Sequence, residues 1–220
     1  MTKMKILDSF ESRTKFFTKN IFVSLSIIIS ISFLLRLFYY MPEIPLTADA
    51  LSYFFYGQDI SVNKQLPANY SPANNGWPIF LSLFFCIFNF DKTSSYMELQ
   101  QVLSIVISVS TIIPVFILCK KFFNNSYSLV GASIFGFEPR LIQNSLLGVT
   151  EPLYIFLGVL SLLTFLSSNQ KLVYLSFCIT AITSLVRSEG LFLFFALSIV
   201  FFIRRSEEHT SELQSRFGIS

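Results

Sequence analysis

The chain has 220 residues, 53% of them hydrophobic, 17% aromatic and only 13% charged, with 27 Phe and a mean hydropathy of +0.62. A soluble domain keeps about 25% charged residues on its surface, so half that charge with this much Phe excludes soluble, disordered, fibrous and disulfide-framework classes and points into lipid. The formal net charge of +3 is too small and too scattered for a nucleic-acid surface, where Lys and Arg gather on one face, so no nucleic-acid partner is expected.

Lys3, Lys5, Arg13, Lys15 and Lys19 precede the first apolar stretch. Residues 21–40 are apolar except for Arg36, which lies near one end and is expected to snorkel to the interface. No small-residue cleavage site follows, so this stretch reads as a signal anchor with its N-terminus in the cytoplasm. Residues 41–97 then form an extracytoplasmic loop, opening with MPEIPLTADALSYFFYGQDI. Pro45 stops the first helix, and Thr47 or Asp49 can cap a new one. Leu51, Phe54, Phe55 and Gln58 fall at helical spacing, which predicts an amphipathic segment on the membrane surface. A turn-rich stretch, residues 67–76, separates it from an aromatic segment at 77–90 that is too short to cross and is expected to lie along the outer interface. Trp77, Tyr39, Tyr40 and Tyr70 suit an interfacial aromatic belt.

Residues 99–119, 127–147, 152–168, 172–186 and 191–203 are the remaining expected spans; a hydrocarbon core of about 30 Å asks for about 20 apolar residues, the shorter runs relying on polar flanks that reach the interface and the last being expected to be cut short. With 77–90 not crossing, Lys120, Lys121, Lys171 and Arg204 all fall on the cytoplasmic side, as the positive-inside rule asks. Cys86, Cys119 and Cys178 are far apart in apolar runs and read as small core residues rather than ligands or disulfides. Asn124-Asn125-Ser126 fits a glycosylation acceptor, but on the cytoplasmic side it goes unused.

After Ile203 the apolar run gives way to RRSEEHTSELQSRFGIS. Residues 205–215 match the in-frame translation of a common short-read sequencing adapter, and Ile219-Ser220 match the bases that follow its sample index. The stretch 205–220 is therefore expected to be an artefactual tail, with natural sequence ending near Arg204. The only histidine, His209, lies in that tail, so no histidine chemistry is expected. Residues 1–204 are expected to be the truncated N-terminal part of a longer membrane protein.

Charged groups beside hydrocarbon cost several kcal/mol unless solvated, paired or bound to a ligand, which makes them the informative residues. The expected topology brings Asp49, Glu151 (in GVTEPLY), and Arg187 with Glu189 (in LVRSEGL) to the outer face, with Glu138 and Arg140 slightly deeper. Each has an ordinary structural reading as a cap, a helix start or a solvated turn. Together, carboxylates and a guanidinium at one membrane face are what transfer from a lipid-linked phosphate needs: a base for the acceptor hydroxyl and a cation for the departing phosphate.

One anchor helix, a loop starting with Asp and an aromatic helix, and then NNGWPIFLSLFF resemble the N-terminal half of GT-C class membrane glycosyltransferases. The resemblance is to the branch that contains the protein mannosyltransferases and the aminoarabinose transferase of lipid A. TEPLYIFLGVLSLL is similar to that branch's acidic residue at the outer start of a span, and SLVRSEGLFLFF to its basic residue at an outer turn. The resemblance implies an all-α polytopic transmembrane bundle, GT-C-like in its N-terminal half, with an external juxtamembrane-helix loop. It implies Asp49 as the catalytic base, with inversion at the anomeric centre, and Arg187 holding a polyprenyl or dolichyl phosphate. Glu151 lines the same cavity, and Glu189 and Arg140 complete the substrate-binding set. The implied partners are membrane lipid, the lipid-phosphate sugar donor and a protein, glycan or lipid acceptor.

Ala48 and Ala50 flank Asp49, and Asn74-Asn75 precede Trp77, where relatives often carry a second acidic residue or an acidic and basic pair. The sequence therefore does not support a divalent metal, and the cofactor stays open. The paired acidic motif of the oligosaccharyltransferase catalytic subunit is also missing. The alternatives are a non-catalytic polytopic membrane protein, such as a transporter fragment, and a structural partner without a site. Against a transporter stand the gathering of polar residues at one face and the lack of an internal repeat.

Overall fold

The computed structural model describes residues 20–43, 45–67 and 74–217, the stretch 207–217 in backbone only. The basic segment before residue 20 and most of the turn-rich stretch 67–76, with Tyr70, lie outside the described residues. Those described form helices joined by short turns, with no strand among them.

Helix α1 (Ile21–Tyr39) is 19 residues long, and the expected 99–119 span lies within a continuous apolar helical run, Thr93–Cys119. These two are long and apolar enough to cross a membrane. The second run comprises α4 (Thr93–Ser110) and α5 (Ile112–Cys119), divided at Thr111. The division follows from Pro114, which has no N–H to offer the carbonyl one turn earlier.

Between them, α2 (Ala48–Asn63) and α3 (Gly76–Ile87) pack against each other. Thr47 is the N-cap of α2, its hydroxyl accepting from the Ala50 N–H, and Asp49 sits in the first turn. At 12 residues, α3 is about 18 Å long, short of a hydrocarbon core of about 30 Å.

The expected 127–147 span is not one helix. It divides into α6 (Asn125–Phe137) and α7 (Pro139–Leu146) around Glu138, whose backbone is extended at ψ 118°. The ring of Pro139 forbids the helical conformation to the residue before it and then starts the next helix. Asn124 caps α6, its side-chain oxygen accepting from the Tyr127 N–H. Helices α8 (Glu151–Phe165) and α9 (Gln170–Val186) are shorter apolar helices. The last helix, α10 (Gly190–Phe217), runs on past Arg204. Residues 206–217 contain three Glu with single Gln, Leu and Arg and neither Gly nor Pro, a composition that tolerates helix, so its continuity marks no boundary.

Beside an apolar core, the burial pattern hides many hydroxyls and exposes many large apolar side chains. Phe22, Phe38, Phe192 and Phe202 are 69–86% exposed, while Ser32, Ser104, Ser128, Ser161, Ser176, Thr180 and Thr183 are buried. The buried hydroxyls join helices: Ser161 Oγ lies 2.5 Å from Thr180 Oγ1, and Ser32 Oγ donates to the Gly136 carbonyl at 2.9 Å. Small and hydroxylic residues at helix contacts, with large apolar ones outside, form the pattern that packs helices in lipid.

Two expectations fail here. Arg36 does not snorkel. It is wholly buried, donating from Nε to Ser145 Oγ (3.2 Å), from Nη2 to Ser108 Oγ (3.1 Å) and from Nη1 to the Gly136 carbonyl (3.1 Å), so that it ties α1 to α4, α6 and α7. Of the cysteines, Cys86 and Cys178 are exposed rather than core residues, Cys119 is half-buried, and all three are free. Both exposed thiols lie on apolar helices whose large side chains also face outward, so they share the apolar outer surface instead of the packed interior.

Candidate functional site

Three features fix where the site lies. Helices α8 and α9 pack side by side through a short turn, which puts the start of α8 beside the end of α9. Thr150-Glu151-Pro152 starts α8, with Pro in the first turn where its missing N–H costs nothing. Arg187 follows α9 in extended conformation, and the turn Ser188-Glu189 leads into α10.

Across that junction Arg187 Nη1 donates to Glu151 Oε1 at 2.6 Å. Its Nη2 donates to Glu189 Oε1 at 2.8 Å and its Nε reaches Glu189 Oε2 at 3.4 Å. Nη1 also reaches Thr150 Oγ1 at 3.4 Å, and the guanidinium lies 5.8 Å from the centre of the Tyr154 ring, within cation–π range. The Arg187, Glu151 and Glu189 side chains are 30%, 32% and 51% exposed, so the ion pairs are partly solvated. Hydrogen bonding to Glu189, more than any other influence, pushes the Arg187 pKa up. The bond from Arg187 holds the Glu189 carboxyl below the ordinary carboxylate range.

The loop residues arrive by a separate route. Gln100, buried on α4, donates through Nε2 both to the Ala50 carbonyl (3.0 Å) and to the Gly148 carbonyl (2.7 Å). Trp77 at the start of α3 donates its indole N–H to the same Gly148 carbonyl at 3.1 Å. Gly148 has φ +71°, which favours glycine, and it turns the chain from α7 towards α8. The first turn of α2, the start of α3 and the turn before Glu151 therefore meet at one hub. On the other side, Gly76 lies against the backbone of Leu185 and Val186, and Ser188 Oγ donates to Asn74 Oδ1 at 3.0 Å. An apolar cluster of Phe54, Trp77, Leu81, Phe85, Leu153 and Val186 fills the space beneath.

Asp49 is exposed in the first turn of α2, one residue from the hub. Tyr53, one helical turn further, registers both groups of charges. Its pKa is raised by burial first and by the Asp49 carboxylate next; Arg187 lowers it, and Glu151 and Glu189 raise it further. The phenol is thus protonated at neutral pH, a hydrogen-bond donor among three carboxylates and one guanidinium. Sequence reasoning missed Tyr53, Tyr154 and Gln100. The signals were the spacing of Tyr53 four residues after Asp49 and of Tyr154 three after Glu151, each on one helix face.

Arg140 is exposed on α7 and joins none of the ion pairs among the described residues. Glu138 is half-buried at the α6–α7 break. A shallow cavity lies against Ser108, Thr111, Asn144, Glu151 and Ile155, so Glu151 faces both this cavity and Arg187. Among the described residues no three His, Cys, Asp or Glu side chains converge as a metal site.

Chemically, the arrangement offers an exposed carboxylate with no hydrogen-bonded cation among the described residues, a protonated phenol, and a fork-shaped cation whose edges are held by carboxylates. Comparison of the chain with family models, with curated proteins and with solved structures gives no match.

Proposed function

We propose that this chain belongs to a polytopic membrane glycosyltransferase that moves a sugar from a polyprenyl or dolichyl phosphate to an acceptor hydroxyl on the extracytoplasmic face. The observation that carries the reading is the hub at Gly148. One glutamine and one indole tie the Asp49 turn to the turn that leads into Glu151, which pairs Arg187.

In this reading Asp49 takes the proton of the acceptor hydroxyl, and the acceptor oxygen forms a bond to the anomeric carbon from the side opposite the phosphate. The bond from that carbon to the phosphate oxygen breaks, and the electron pair leaves with the lipid phosphate, whose growing charge Arg187 stabilises. Tyr53 donates a hydrogen bond to the sugar or the phosphate. The exposed phenylalanines and the interhelical hydroxyls support a multi-pass bundle. Lys120, Lys121 and Lys171, exposed at the α5–α6 and α8–α9 turns, support their assignment to the cytoplasmic side.

The test is transfer of radiolabelled sugar from polyprenyl phosphate by membranes that hold the protein. Asp49→Asn should abolish transfer while the protein still inserts and stays folded. Full activity in Asp49→Asn contradicts the reading. A transporter would instead move solute in either variant.

A further inference from the structure

The ion pairs of Arg187 leave no free edge for a phosphate. Nη1 is given to Glu151, and the opposite edge, Nη2 and Nε, is given to both oxygens of Glu189. A carboxylate that grips this edge from two residues away has the bidentate shape that a phosphate uses on the same donors. The two carboxylates differ in how they are held. Glu151 begins a helix, is half-buried and faces the cavity at Ser108 and Asn144; Glu189 sits in the exposed turn between α9 and α10, its carboxylate held by Arg187 and by its own backbone.

Resting on the donor reading above, we infer that Glu189 is a placeholder: it occupies the phosphate-binding edge of Arg187 in the empty site and swings away when the phosphate group of the donor arrives, while Glu151 stays and holds the guanidinium in position. The exchange is one anion for another on Nη2 and Nε, with no covalent change. Glu189 thereby sets affinity rather than chemistry, keeping a partly exposed cation paired and discouraging weaker anions. Its side chain, 51% exposed, has solvent to move into. Glu151, 32% exposed and anchored in the first turn of α8, is positioned to stay. The depressed pKa of Glu189 accords with an ionised competitor at neutral pH.

The experiment measures binding of undecaprenyl phosphate to the full chain in lipid nanodiscs, read from the fluorescence of Trp77, the single tryptophan, whose indole is bonded to the hub. Inorganic phosphate forms a second arm. Glu189→Gln should tighten lipid-phosphate binding about fivefold, in line with loss of a partly exposed ion pair. Glu189→Asp, still charged but too short to span both donors, should fall between. Glu151→Gln should weaken binding, and Arg187→Gln should abolish it. Parallel tightening for inorganic phosphate assigns the phosphate group alone as the displacing ligand; tightening for the lipid only assigns the whole lipid phosphate.

Binding that needs Arg187 but is unchanged or weakened in both Glu189 variants overturns the placeholder and leaves the donor reading standing. Binding that is absent, or indifferent to Arg187→Gln, overturns the donor reading and the placeholder with it.

Discussion

Arg36 offers the sharpest energetic test, because a buried guanidinium tying its helix to three others contributes through bonds that can be removed one substitution at a time. Its three interhelical contacts, to Ser108, Gly136 and Ser145, are worth about 0.6 to 1.7 kcal/mol each by the measured range for hydrogen bonds between membrane helices, so about 2 to 5 kcal/mol together. Arg36→Lys keeps the cost of burying a charge and loses the fork, since one ammonium cannot reach Ser145 and Ser108 in opposite directions as the planar guanidinium does. It should lose most of that sum. Arg36→Leu loses the same bonds but recovers the cost of the buried charge, about 2.5 to 3.5 kcal/mol on the insertion scale, so its net loss should be about 2 kcal/mol or less. At about 2 to 4 °C per kcal/mol for a chain of this length, Arg36→Lys should lower the midpoint by about 4 to 20 °C and Arg36→Leu by less than half of that. Thermal unfolding in detergent micelles followed by circular dichroism measures both. Equal midpoints for wild type and Arg36→Lys, or a larger drop for Leu than for Lys, would refute the reasoning.

Three further outcomes follow from the site. Gly148→Ala places a Cβ at a backbone of φ +71° and 3.2 Å from Gln100 Cγ, which should cost about 1 to 3 kcal/mol and loosen the hub, seen as a lower midpoint and a shifted Trp77 emission. Gly76→Ala puts a Cβ 2.7 Å from Val186 N and 2.8 Å from Leu185 C. Neither backbone atom can give way, so α3 should part from α9 and protease should cut the loop 41–97 faster than in wild type. The third concerns pH. The carboxyl of Glu189 is held below its ordinary value of 4.5, first by the bond from Arg187. Its stabilising contribution is therefore complete above about pH 4.5 and is lost as pH falls through the lower folded value; solvent screening keeps it small. The midpoint difference between wild type and Glu189→Gln should be flat from about pH 8 to 5 and vanish in stronger acid, and a difference that grows on acidification has the wrong sign.

What was readable beforehand was local. Thr47 as a cap, Pro45 as a stop and the uncharged run at 99–119 are each decided by a few neighbouring residues, and the backbone follows them. Pro139 shows a misreading of a legible signal, since hydropathy alone joined α6 to α7 although a proline stood between them. Arg36 was misplaced for a different reason. Its acceptors on other helices lie 72 to 109 residues away in sequence, and no local pattern distinguishes a cation that will find serines from one that will rise to the interface. The same limit applies to the site. The spacing of Arg187 to Glu189 is visible in LVRSEGL, but the contact with Glu151 spans 36 residues, and the hub of Gln100, Trp77 and Gly148 joins segments that only tertiary packing brings together.

The account rests on the Asp49 turn and the Arg187 turn facing one compartment. With Cys86, Cys119 and Cys178 replaced by Ser, single cysteines at positions 49, 189 and 121 should be challenged with a membrane-impermeant maleimide in right-side-out and inverted vesicles. Asp49→Cys and Glu189→Cys should both label in right-side-out vesicles and Lys121→Cys only in inverted ones; labelling of positions 49 and 189 from opposite sides would contradict the account.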